Sequence, residues 1–198
     1  MPLMFIPRDW YWHVNGDAAN VYSSARNIYV PVSDSAYKTW LGNGMGDAQS
    51  IPSEADIWNY VKEFQPWWMW DATAERMSQP AAGQHTKGQL QNYDTDVRTR
   101  KVAGGMTAAG VPVKTDDVSR GYIDGQAAAA AADPNFTTKW FGSDGQFYNV
   151  DAETMIAIGK AVSDHTNDCY TVFAQVSDQI TLNTITTLAQ IDTAFEGL

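Results

Sequence analysis

Cysteine is almost missing from this chain of 198 residues. Cys169 stands alone, so no internal disulfide framework can brace the fold, and the redox compartment stays open. Basic residues are scarce too, 13 against 23 acidic ones, for a formal charge of −10. After Phe141 there are eight Asp or Glu and a single base, Lys160. Nucleic-acid affinity rests on Lys and Arg neutralising phosphates, so this balance argues against nucleic acid as a partner, and it also repels anionic lipid. No apolar run is long enough to cross a bilayer, which argues against membrane insertion. The segment Met1-Pro2-Leu3-Met4-Phe5-Ile6-Pro7-Arg8 lacks a basic stretch ahead of an uninterrupted apolar core and does not read as a signal peptide. Synthesis and folding in a cytoplasm is the simplest expectation.

What is abundant is aromatic and apolar. At 44% hydrophobic and 12% aromatic, the chain can bury a sizeable core. Seven of the eight tryptophans precede residue 71, whereas most of the alanine comes later, and this shift suggests two modules. Ser78 to Asn92 is mostly Gln, Gly, Ala, Thr and Pro, with Leu90 its one large apolar side chain, and reads as a linker. The expected organisation is an aromatic module over 1–76, a linker over 77–93 and a C-terminal domain over 94–198.

In the first module, Trp10, Trp12 and Val14 alternate with Tyr11 and His13 as the two faces of a strand. Asn15-Gly16 offers the left-handed torsions of a tight turn. Asn20 to Ser24 and Asn27 to Val30 read as further strands of an antiparallel meander. Asp34 or Ser35 caps a short helix through Trp40 and Leu41, ended by Gly42 and Gly44. Ser53 with Asp56 precedes Ile57, Val61 and Phe64 on one helical face, stopped by Pro66.

The second module starts with a helix near Asp94 to Val102, broken at Gly104-Gly105. Short strands, Met106 to Ala108 and Val111 to Lys114, flank Ala109-Gly110, with Pro112 confining the second to an edge. Asp116 and Asp117 cap and begin a helix to Ala132, stopped by Asp133-Pro134. An aromatic hairpin, Thr137 to Phe141 and Gln146 to Val150, turns at Gly142-Ser143-Asp144-Gly145. Asp151 then caps a long helix, with Glu153 near its N-terminal end. Met155, Ile158, Val162, His165, Cys169, Val172 and Val176 recur every three or four residues and line one side of it. Ile185, Leu188, Ile191 and Phe195 supply a shorter helix after Asn183 or Thr184, folding back on the first. The fold class is α+β: a small antiparallel β-meander with short helices, then β-hairpins packed with a long amphipathic helix and a C-terminal helix.

Candidate chemistry is sparse. His165 and Cys169, four apart on one helix, have the spacing of a thiolate–imidazole pair or of two metal ligands, yet both sit in the apolar stripe, where packing roles are the plainer reading. His13 and His85 offer no local partner. Asp71 and Glu75 are a possible carboxylate pair for glycoside cleavage, but two carboxylates four apart are commonplace on an exposed helical face. Asp144-Gly145 is a turn and not a calcium loop, since the alternating oxygen ligands are lacking. Trp67, Trp68 and Trp70 are the candidate partner interface; they either anchor a protein contact, stack on sugar rings, or complete the first core. No catalytic residue, cofactor or metal is expected.

Gly110-Val111-Pro112-Val113-Lys114-Thr115-Asp116-Asp117 with its following helix, then Trp140, Asp144-Gly145, Val150-Asp151 and Ala161-Val162 with His165 and Cys169, resembles a domain at the C-terminus of tailed-bacteriophage tail and tail-fibre-assembly proteins. Trp10-Tyr11-Trp12, Val21-Tyr22-Ser23-Ser24, Tyr29-Val30-Pro31 and Tyr37 to Leu41 with Ser53-Glu54 resemble the N-terminal segment of short phage tail proteins. The resemblance implies a non-enzymatic structural or adaptor component of a tail or tail fibre, located in the virion, assembled in the host bacterial cytoplasm and bound to other tail proteins or to copies of itself. Two alternatives stand beside it: a fibre-assembly chaperone that leaves the mature particle, and a module contacting host glycan.

Overall fold

The computed structural model describes residues 5, 7–42 and 47–198 and divides the chain into two compact units, Met1–Asn92 and Tyr93–Leu198. The expectations placed on Met1 to Met4, Ile6 and Gly44 lie outside the described residues. The α+β class holds.

In the first unit, β1 (Tyr11–Val14), β2 (Asn20–Ser23) and β3 (Ile28–Pro31) form the expected antiparallel meander. A fourth strand, β4 (Gln49–Ile51), then joins β1 in parallel, so the sheet is mixed. Asn15 and Gly16 do adopt positive φ, +51° and +73°, and the Asp17 N–H closes the turn on the Val14 carbonyl at 3.1 Å. Asp17 prolongs the connection by accepting the Ala19 and Asn20 N–H groups. The alternation along β1 does not separate a wet face from a dry one. Trp10, Tyr11, Trp12 and Val14 are all buried, because aromatic side chains cover both faces. Trp10 meets Trp40 edge-on at 4.9 Å and Tyr11 lies 5.0 Å from Tyr37. The Trp12 indole N–H donates to Ser24 Oγ at 2.7 Å, leaving that buried polar pair satisfied.

Asp34 caps α1 (Ser35–Trp40) by accepting the Tyr37 N–H, and Ser53 caps α2 (Glu54–Val61) by accepting from Asp56. Ile57 and Val61 are fully buried, but Phe64 is exposed: α2 ends at Val61, so the helical spacing that would have carried Phe64 inward stops before it. A further hairpin, β5 (Met69–Asp71) with β6 (Arg76–Ser78), completes this unit and was not foreseen.

The helix expected near Asp94 is longer. As α3 (Lys87–Ala103), it starts inside the polar segment read as linker, and the division between the units falls within it. Next come the hairpin β7 (Met106–Ala108) and β8 (Val111–Val113), turning on Ala109 and Gly110 at φ of +48° and +79°. α4 (Asp117–Ala132) is capped by Asp116 and stops at Asp133. The hairpin β9 (Thr137–Phe141) and β10 (Phe147–Asp151) leads into α5 (Ala152–Thr181), capped by Asp151. At 30 residues α5 is about 45 Å long.

Met155, Ile158, Val162, Cys169 and Val176 form the buried stripe of α5, with His165 and Val172 half-buried. The chief helix partner of α5 is α4 and not the C-terminal helix. Gly159 explains the closeness: a Cβ there would stand 2.7 Å from the Ala127 Cβ in the alanine run. α6 (Leu188–Ala194) contacts α5 as well, but its cap is Thr187, in a capping box with Gln190. Asn183 instead ends α5 in a left-handed conformation at φ +58°, the role most often given to Gly.

Candidate functional site

The three tryptophans singled out by their clustering do not present a free surface. Trp67 and Trp68 are buried at 4% and 9% exposure, and Trp70 is half-buried, paired with Met77 across β5–β6 and packed on the first core. Of the readings open for them, the burial of Trp67 and Trp68 favours completion of the first core, whereas Trp70 keeps part of its ring exposed.

Asp71 and Glu75 share no helix. They flank the β5–β6 turn, where Asp71 Oδ1 accepts the Thr73 and Ala74 N–H groups at 2.9 and 3.0 Å and Glu75 takes φ +50°. Those backbone donors, Ala74 first, hold the Asp71 carboxyl below its usual range, as suits a turn-forming carboxylate.

His165 and Cys169 do meet, Nε2 to Sγ at 3.7 Å. The same Nε2 lies 3.0 Å from the Lys101 carbonyl, which can only accept, so Nε2 carries the proton and donates it there. It therefore cannot take a proton from the thiol. Burial pushes the Cys169 thiol up, so the sulfur stays protonated at neutral pH and serves packing, as its place in the stripe suggested. His13 donates from Nδ1 to the Asp17 carbonyl at 2.8 Å, whereas neither ring nitrogen of His85 has a partner and burial lowers its pKa. Among the described residues, no three or more His, Cys, Asp or Glu side chains gather as a metal site, and no helix is long and apolar enough to cross a membrane.

The second unit presents an exposed aromatic surface. Along β9 and β10 one face is partly covered, with Thr138, Trp140, Tyr148 and Val150 turned to the core. The other carries Phe141 and Phe147, 60% and 70% exposed, with ring centroids 4.9 Å apart. Val118 and Tyr122, one turn apart on α4, are equally exposed, and Tyr122 shares a cleft with Phe141. The signal was in the sequence as aromatics at both parities of one hairpin, Trp140 beside Phe141 and Phe147 beside Tyr148; two faces cannot both be buried when one sheet layer packs on one core.

The hairpin tip is fixed. Gly142 N–H donates to the Gln146 carbonyl at 2.8 Å, Asp144 Oδ1 accepts from Gln146 N–H, and Tyr148 Oη donates to Asp144 Oδ2 at 2.6 Å. Ser143 N–H reaches the Pro112 carbonyl at 3.0 Å and ties the tip to β8. A Cβ on Gly142 would sit 2.5 Å from Asp144 Oδ1 and 2.8 Å from the Tyr148 ring, so any side chain there would displace the hydrogen-bonded Asp144–Tyr148 pair. Asp144 is thus a turn residue, its pKa lowered first by the Tyr148 hydroxyl.

The family described as "Domain of unknown function (DUF4376)" matches residues 85–195, more than half of the chain. The chain belongs to that family. The DUF4376 match contains the whole of β7 through α6, together with the exposed aromatic face, and begins two residues ahead of α3. No curated protein and no solved structure matches the chain.

Proposed function

We propose that the chain is a non-enzymatic structural or adaptor component of a bacteriophage tail or tail fibre, made in the host cytoplasm and held in the virion by contacts with other tail proteins. The observation that carries this reading is the run of turns and core positions from Gly110 to Cys169, which resembles the phage tail domain and falls wholly inside the family match. A contact surface supports it: Phe141 and Phe147 offer adjoining apolar rings on a hairpin whose tip is pinned, so little side-chain freedom is lost on docking. Mass spectrometry of purified particles of the phage encoding the chain tests the proposal. Copies should be retained in infectious particles, and Phe141→Ser with Phe147→Ser should reduce incorporation while leaving the thermal midpoint of the purified protein unchanged. If infected cells hold many copies and infectious particles none, the assembly-chaperone reading replaces it.

A further inference from the structure

An open cleft of about 320 Å³ lies between the first turns of α4 and strand β9, within the second unit. Its lining includes Lys114, Lys139, Tyr122 and Trp140, and no carboxylate. That is unusual for this chain. From residue 104 onward the only basic residues are Lys114, Arg120, Lys139 and Lys160. Arg120 is bound to Asp117 at 2.6 Å and to the Thr115 carbonyl, and Lys160 to Asp164 at 2.5 Å. Lys114 and Lys139 form no ion pair among the described residues, and both line the cleft. The two lysines of this unit that form no ion pair therefore border one cleft, although Lys114 also lies near enough to Asp116 to help lower that carboxyl.

We propose that this cleft binds an acidic saccharide through a carboxylate-bearing sugar ring. The two lysines offer charge-assisted hydrogen bonds to one carboxylate. Trp140 and the 67% exposed Tyr122 supply ring faces for the apolar C–H side of a sugar. Gln126 and Thr138 also line the cleft and spend no side-chain hydrogen bond among the described residues, so they are available to sugar hydroxyls. The volume suits a small ring ligand and is too small for a docked helix. A phosphate dianion fits less well, because the Asp116 carboxylate already caps the N-terminus of α4 through the Ser119 N–H at 3.0 Å, and Asp117 follows it. Phe141 borders the cleft as well as the proposed tail contact, but sugar binding is measured on the purified chain alone, so its failure and that of the tail reading are separable.

The test is an NMR titration of the full chain with galacturonate, glucuronate and sialyl oligosaccharides, matched neutral oligosaccharides, tri-glutamate and AMP. An acidic sugar should shift the Trp140 indole signal with a dissociation constant of about 1 mM or tighter. The neutral analogue should bind roughly tenfold more weakly or worse, and Lys114→Gln with Lys139→Gln should bring the acidic sugar down to that level. Tyr122→Ala, at an exposed position, should weaken binding at an unchanged thermal midpoint. Equal binding of acidic and neutral sugars, no response to any acidic sugar, or a response to tri-glutamate or AMP as strong as to the sugars each overturns the assignment.

Discussion

Asp94 on α3 is fully buried, and neither of its carboxylate oxygens has a hydrogen-bond partner. Arg98, one turn on, is engaged elsewhere: its guanidinium lies 4.8 Å over the rings of both Tyr170 and Phe173. Burial pushes the Asp94 carboxyl up to about 7, with Arg98 pulling weakly the other way. Because the folded chain holds this proton more tightly than an unfolded Asp at about 3.9, stability from the site is full below about pH 4 and is lost as pH rises towards 7. Asp94→Asn should match the parent in thermal midpoint at pH 4 and exceed it at pH 8; two parallel midpoint-versus-pH curves would contradict this. Asp34 acts in the opposite sense. The Arg26 guanidinium at 2.8 Å, then the Tyr37 N–H, lower it to about 2, so its contribution is present above about pH 4 and is lost as acid takes it towards 2. Cys169 gives a second check at this scale. Its thiol should resist disulfide reagents until urea unfolds the protein, and Cys169→Ala should cost about 1 kcal/mol through a small cavity, read from the urea midpoint.

Where α4 crosses α5, two substitutions distinguish helix propensity from packing. Gly159→Ala should gain about 1 kcal/mol in propensity, but it drives a methyl group to 2.7 Å from Ala127, and overpacking costs about 1–3 kcal/mol. Net destabilisation is expected in urea titrations, relieved in the double variant with Ala127→Gly; a stabilised single variant would show that the helices separate freely. The helix to Ala132 was readable, but not its partner, because periodicity reports which side of an element is apolar and says nothing of what covers it. Caps behaved differently. Asp34, Ser53, Asp116 and Asp151 each sit where a side-chain oxygen meets the third N–H ahead, a purely local interaction, and all four were legible. Asn183 was not, since the same residue type suits either the end of one helix or the start of the next. Nor was the β5–β6 hairpin, whose turn at Glu75 takes a left-handed torsion without glycine, and the sequence left core and interface open for Trp67 and Trp68, because which one holds depends on packing that no local pattern encodes.

For the molecule as a whole, the stretch 79–86 lies between β6 and α3 and belongs to neither, so brief proteolysis should cut there first. A fragment of residues 85–198 should then melt cooperatively by itself, followed by circular dichroism; early cleavage inside α5, or a fragment with no transition, would refute that autonomy. The hairpin β9–β10 adds a constraint of another kind. It is a sheet of only two strands, so each strand is an edge with a row of backbone donors and acceptors that another chain could extend. Exposed Phe141 and Phe147 make such stacking attractive, and on that outward face the guarding charges are Lys139 and Asp151. At the concentrations reached in expression or purification, colloidal behaviour thus hangs on the same lysine that lines the cleft. Removing the charge at 139 to probe recognition will also loosen the guard against aggregation, and the protein is free to vary there only as far as it can remain in solution.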